Sequence, residues 1–171
     1  MLERLDSAEV RIDKICQLVA TCRFGIHDLS RTELDPLHQL PRFNMPFELG
    51  LFVGAQRYGT RMQRKKSCLI LDRAPYRYQR FCSDIAGQDP VSHNGEPNRA
   101  IRVVRDWLQR YSGTRAPSGS LMAARYDRFR SDLPRMCRLG RLREAELTFS
   151  DFVYVLSVWL RHVGATDRVY T

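Results

Sequence analysis

The chain has no long apolar run, no paired-cysteine framework and very little lysine, and each shortage removes a class of protein. Its longest apolar stretch, Phe152 to Leu160, is broken by Tyr154 and Ser157. It stops far short of the roughly 18 consecutive apolar residues that a membrane-spanning helix needs. The opening residues, Met1-Leu2-Glu3-Arg4-Leu5-Asp6, contain neither a basic n-region nor an apolar h-region, so no export signal is expected and the cytoplasm is the default compartment. The five cysteines (Cys16, Cys22, Cys68, Cys82, Cys137) are odd in number and lack C-x-x-C spacing, which argues against a disulfide scaffold and against a zinc site. Cys16, Cys22 and Cys68 lie in apolar stretches, where a reduced thiol is expected to serve as a small core residue. Internal repeats and low-complexity tracts are missing too.

What remains is a chain of 171 residues, 43% hydrophobic and 27% charged, a balance that supports a packed core and excludes intrinsic disorder. The net charge is 28 basic minus 19 acidic residues, or +9. The excess leans toward the C-terminal half: residues 1–90 carry 14 basic and 11 acidic side chains, residues 91–171 carry 14 and 8. Twenty-five of the 28 cations are arginine, whose planar fork suits phosphates and carboxylates. Such a balance fits nucleotides, nucleic acid or acidic proteins, and equally a merely soluble surface.

Asp6-Ser7-Ala8-Glu9 reads as a capping box opening a helix whose apolar stripe is Ile12, Ile15 and Val19, ending near Thr21. Cys22 to Leu29 is too short for a helix and reads as a strand. A loop with Pro36 and Pro41 leads to a second helix expected to start near Pro46, with Glu48 in its first turn, where the helix dipole favours an acid. Ser67 to Asp72 is the clearest buried strand. Tyr76 to Ala86 is predicted to be a helix closed by Gly87, Asp89 to His93 a short third strand, and Pro97 to Tyr111 an amphipathic helix. Ser112 to Ser120 reads as a linker. Two helices follow, one carrying Met122, Tyr126, Phe129 and Leu133, the other spanning Asp151 to Val163 and capped by Ser150. The predicted organisation is an α/β core over 1–111, a linker over 112–120 and a helical part over 121–171 packed on the core.

Alternating helices and apolar strands predict an α/β fold, a flavodoxin-like or TIR-like parallel sheet with helices on both faces. Ligands of open parallel sheets bind outside the carboxyl ends of the strands. That rule puts His27, Asp28, Ser30 and Asp72 on a functional rim. The entrance of the Pro46 helix shares that rim, so Glu48 is expected near Asp28, two carboxylates facing one crevice, an arrangement that suits glycosidic chemistry.

The run Ile26-His27-Asp28-Leu29-Ser30, a loop, and then Asn44-Met45-Pro46-Phe47-Glu48-Leu49-Gly50 continuing to Gly54-Ala55 resembles the nucleoside 2-deoxyribosyltransferase-like and Toll/interleukin-1-receptor (TIR)-like group, most of all its bacterial branch. The resemblance covers roughly residues 7–110. It implies that Glu48 is the catalytic residue, cleaving or exchanging an N-glycosidic bond in deoxynucleosides or in NAD, and that Asp28 contacts ribose, with His27, Ser30, Asn44 and Asp72 around the substrate. Members of the group begin with a strand and a nucleotide-contacting loop that have no counterpart before Asp6, so the first strand is expected to be missing; either the domain is a shortened version of that fold or the exposed sheet edge is covered by another chain.

The implied partner is a nucleotide or nucleoside, NAD among them, with no cofactor or metal called for. A non-catalytic nucleotide-sensing or protein-interaction module is the alternative. Nucleic acid ranks last, because no reading motif accompanies the charge. Plainer readings stay open at every position: Glu48 suits any helix start, Asp28 and Asp72 can cap turns after strands, and a lone His27 can be structural. Arg61, Arg64, Lys65 and Lys66 can be a solvated loop. Tyr78, Phe81, Cys82 and Ile85 can be a buried face.

Overall fold

A computed structural model describes residues 10–34, 37, 39, 41–113 and 115–167, with side chains to residue 162. The chain divides into two compact units, one running to Ser120 and the other beginning at Leu121.

The first unit is α/β. Its elements in order are α1 (Arg11–Thr21), β1 (Phe24–Asp28), α2 (Asn44–Tyr58), β2 (Ser67–Asp72), β3 (Val91–Ser92) and α3 (Pro97–Ser112). The strands form one parallel sheet in the order β1-β2-β3. Register runs from Phe24 opposite Ser67 to Asp28 opposite Leu71, and β3 meets only the last two residues of β2, Leu71 and Asp72. Among the described residues β1 has no strand on its other side. Because side chains alternate along a strand, the sheet has two distinct faces. α2 covers the face of His27 and Ile70, with Phe52 edge-on to His27 and Leu49 in a buried cluster with Leu29, Ile70 and Tyr78. α3 covers the other, its Trp107 edge-on to Phe24.

α1 buries no residue completely, so its apolar stripe alone does not fasten it. Lys66, 4% exposed, does: its Nζ donates to the carbonyls of Val19 and Cys22, each at 2.5 Å, satisfying acceptors that the end of a helix leaves open. Lys66 thus leaves the solvated basic loop to which the sequence assigns it. The segment after α3 is held as well, Arg105 donating to the carbonyls of Ala116 and Pro117.

The second unit holds α4 (Gly119–Leu139, beginning two residues before the division) and α5 (Phe149–Asp167). Phe129, Leu133, Cys137, Val155 and Trp159 form its core, with Phe129 edge-on to both Phe152 and Trp159. The indole N–H of Trp159 donates to Asp132 at 2.8 Å, so this buried donor is not left unpaired.

Several expectations need correction. α2 begins at Asn44, which moves Glu48 out of the first turn. Tyr76 to Ala86 is two 3-10 turns, Arg77–Arg80 and Ser83–Ile85, with Tyr76 at φ 57°, because Arg77 is drawn back to β1 and β2. Tyr78, Phe81 and Ile85 still turn inward. Thr148, not Ser150, caps α5: its hydroxyl accepts from the Asp151 amide while the Asp151 carboxylate accepts from Thr148, holding that carboxyl below its ordinary range. Cys16 and Cys22 are exposed, and Cys137 is the cysteine that fills a core. The Asp6 capping box lies outside the described residues.

Candidate functional site

The carboxyl ends of the three strands converge as the parallel order requires, but the residues there fall into separate groups. At the end of β2, Asp72 is 1% exposed. Its Oδ1 accepts from the Arg73 amide at 2.7 Å and from Arg77 Nε at 2.8 Å. Arg77 also donates to Thr32 Oγ1 and to the Leu29 carbonyl and lies over the Phe81 ring. The pair ties the exit of β1 to the exit of β2. The expected substrate contact Asp72 is instead a buried carboxylate whose Oδ1 is taken by the Arg73 amide and the part-buried Arg77 guanidinium, while its Oδ2 has no hydrogen-bond partner among the described residues.

At the end of β1, Asp28 points to the opposite face, as its place one residue after His27 dictates. Its side chain is 48% exposed. Oδ1 accepts from the Ser30 amide at 3.0 Å and lies 3.4 Å from His93 Nε2. His93 is buried at the end of β3, in a turn where Asn94 and Gly95 both have positive φ, and its Nδ1 accepts from the Gly95 amide at 3.1 Å. Sequence reasoning missed His93; the signal was Asn94-Gly95 directly after an apolar strand, a pairing that favours a tight turn with φ above zero.

His27 does not reach the rim. It is buried under Phe52 and against Gly25, where a Cβ would come within 2.8 Å of its Nε2. Burial pushes its pKa down to about 4, so the ring is neutral, and among the described residues neither nitrogen has a hydrogen-bond partner.

Glu48 and Asn44 lie together. Both line a depression of about 350 Å³ between α1 and α2, shared with Phe47 and with Arg11, Ile12 and Ile15 of α1. Glu48 is half-buried and Phe47 is 55% exposed. α2, which carries Glu48, packs on the sheet face opposite the Asp28 side chain. The expected meeting of the two carboxylates in one crevice is therefore not what the geometry carries.

Two of the other spaces among the described residues are larger. One, about 460 Å³, lies between β2 and α3 and is lined by Cys68, Gln88, Asp89, Trp107, Arg110 and Tyr111 among others. The other, about 470 Å³, lies at the opposite end of the sheet beside Arg23, Thr60, Lys65 and Lys66. Burial raises the pKa of the Cys68 thiol, and burial with Asp84 raises that of Cys82, which leaves both poor nucleophiles. Among the described residues no group of three His, Cys, Asp or Glu side chains is arranged to hold a metal ion, and no helix is long and apolar enough to cross a membrane. Comparison with protein-family models, with curated proteins and with solved structures returns no match.

Proposed function

We propose that this chain is a nucleotide-directed domain that cleaves or transfers an N-glycosidic bond, with Glu48 as the acting carboxylate. The observation that supports the reading best is the depression between α1 and α2, which gathers four chemically complementary groups around one space. The exposed Phe47 ring offers a stacking face to a base. The Asn44 amide can hydrogen-bond a sugar hydroxyl, and Arg11 suits a phosphate. Glu48 then stands beside the sugar, where its carboxylate stabilises or attacks C1′ as the bond to the base nitrogen breaks and the base departs with the bonding pair. Water or a second base takes the ribosyl carbon. NAD and deoxynucleosides are the substrates to try first, as the resemblance of residues 26–30 and 44–55 implies.

Incubation with NAD and with 2′-deoxyadenosine tests this. The wild type is expected to release nicotinamide or adenine, and Glu48→Gln to lose at least 100-fold of the rate, the scale of a removed acid, base or nucleophile. No release by either protein ends the enzymatic reading. The alternative, a module that binds a nucleotide or a second copy without turnover, draws on the outer edge of β1, where Ile26 is 42% exposed.

A further inference from the structure

We infer that the end of the sheet where β1 and β2 begin is a binding surface for single-stranded nucleic acid, held through its phosphates and by stacking of its bases. Two depressions open there. The one of about 470 Å³ is lined by Arg23, Lys65 and Lys66, and a second, of about 350 Å³, by Arg57, Ser67 and Tyr111 among others. Lys66 borders the first and Ser67 the second, so the two adjoin at a single peptide bond. Gln56 fixes that peptide, its side-chain amide donating to the Lys66 carbonyl at 2.7 Å.

Charge here is of one sign. Among the described residues no Asp or Glu lines either depression, although the chain holds 19 of them. Between Glu48 and Asp72 the sequence has no acidic residue and five basic ones, Arg57, Arg61, Arg64, Lys65 and Lys66. Lys66 is committed to α1, and the dipole at the end of α2 suits Arg57. Arg23, Arg61 and Lys65 are exposed and form no ion pair among the described residues. Like charges gathered without a countercharge repel one another, and a polyanion removes that repulsion while releasing its own counterions. The loop that carries them is set in advance: the Thr60 amide donates to Gln63 Oε1, the Gln63 amide to Thr60 Oγ1, and Arg64 Nε to the Gly59 carbonyl.

Aromatic rings stand beside the cations. Tyr111, 45% exposed, lines the second depression with Arg57, and Trp107 holds its ring at 5.4 Å between centroids. Tyr58, next to Arg57, is 86% exposed. Bases stack on such faces whatever their sequence, so binding of this kind needs no reading motif. A concave, one-signed surface with aromatic faces suits a flexible strand better than a bilayer, which calls for an apolar helix face, or a duplex, whose bases already stack on one another.

Fluorescence anisotropy of the full chain with labelled oligothymidine and oligouridine of about 12 nucleotides, within the span of one such groove, tests the assignment. Both strands are expected to bind, with log Kd rising against log salt at a slope of about 3, as neutralising about four phosphates requires. Arg57→Gln, Arg61→Gln and Lys65→Gln combined should weaken binding at least tenfold and lower the slope by about 2. Tyr58→Ser with Tyr111→Leu should weaken it about tenfold and leave the slope unchanged. Arg31→Gln, Arg42→Gln and Arg99→Gln combined remove the same charge from the opposite end of the sheet and should hold affinity within about twofold. No binding at ~50 mM salt, an equal loss in that control, or an affinity that the tyrosine substitutions leave unchanged each overturns the inference. Displacement of the strand by poly-L-glutamate or by phosphatidylserine vesicles at equal charge concentration also overturns it, assigning the surface to acidic proteins or to membranes. None of these readouts involves Glu48, whose turnover shows separately as released base.

Discussion

At the end of β2 the Asp72 carboxylate is sealed, its side chain 2% exposed against Arg77, whereas at the end of β1 the Asp28 side chain keeps 48% of its surface. Both are aspartates closing parallel strands, one register position apart on adjacent strands. What separates them is pleat and partner. Asp72 falls on the face where Tyr78 and Leu49 pack and where Arg77 returns to meet it, while Asp28 falls on the other and meets the His93 ring. A carboxylate paired inside costs dearly to disturb, because removing one partner leaves a buried charge. One oriented at the surface is cheap to change and available for a ligand.

The comparison sharpens through substitution. Arg77→Ala should destabilise the fold by about 3–5 kcal/mol in urea unfolding, since Asp72 then has no countercharge. A loss below about 1 kcal/mol would mean that the strand ends are not clamped as described. Lys66→Met should cost about 1.5–3 kcal/mol, the worth of charged hydrogen bonds to the two α1 carbonyls. His27 predicts a pH effect. Its folded pKa of about 4 lies below its ordinary 6.5, so between those values the unfolded chain binds more protons. Stability contributed by the neutral ring is complete above about pH 6.5 and is lost as pH falls toward 4. Thermal melts should therefore drop between pH 7 and pH 5, and His27→Leu should flatten that slope. Asp28→Asn should change stability by less than about 0.5 kcal/mol in the same urea unfolding, the reverse of the pattern at Asp72.

The sheet was readable because Ser67 to Asp72 is an apolar run too short for a helix and because helices and strands alternate around it. Helix α3 was readable from the spacing of Ile101, Val104, Trp107 and Leu108. The region after Asp72 was not, since a helical pattern over 76–86 was overridden by a long-range bond from Arg77 to the end of β1. The grouping of site residues was legible only in part. That Glu48 and Asn44 share a space follows from their spacing of four on one helix. That Asp28 turns from them and toward His93, 65 residues away, depends on register and on which helix covers which face. Cys16 misled because it lies at the margin of the α1 stripe formed by Ile12 and Ile15, on a helix that buries nothing completely, so the thiol stays exposed.

The brevity of β3 has a consequence for behaviour in crowded solution. Only Leu71 and Asp72 of the central strand are paired on that side, which leaves the stretch around Cys68 with backbone groups that another chain could match by adding a strand. Asp89 lines the space beside it together with Arg110 and Tyr111, and Pro90, next in the chain, is unable to donate a ladder bond. Removing that pair of blockers would turn the inner strand into a seed for aggregation.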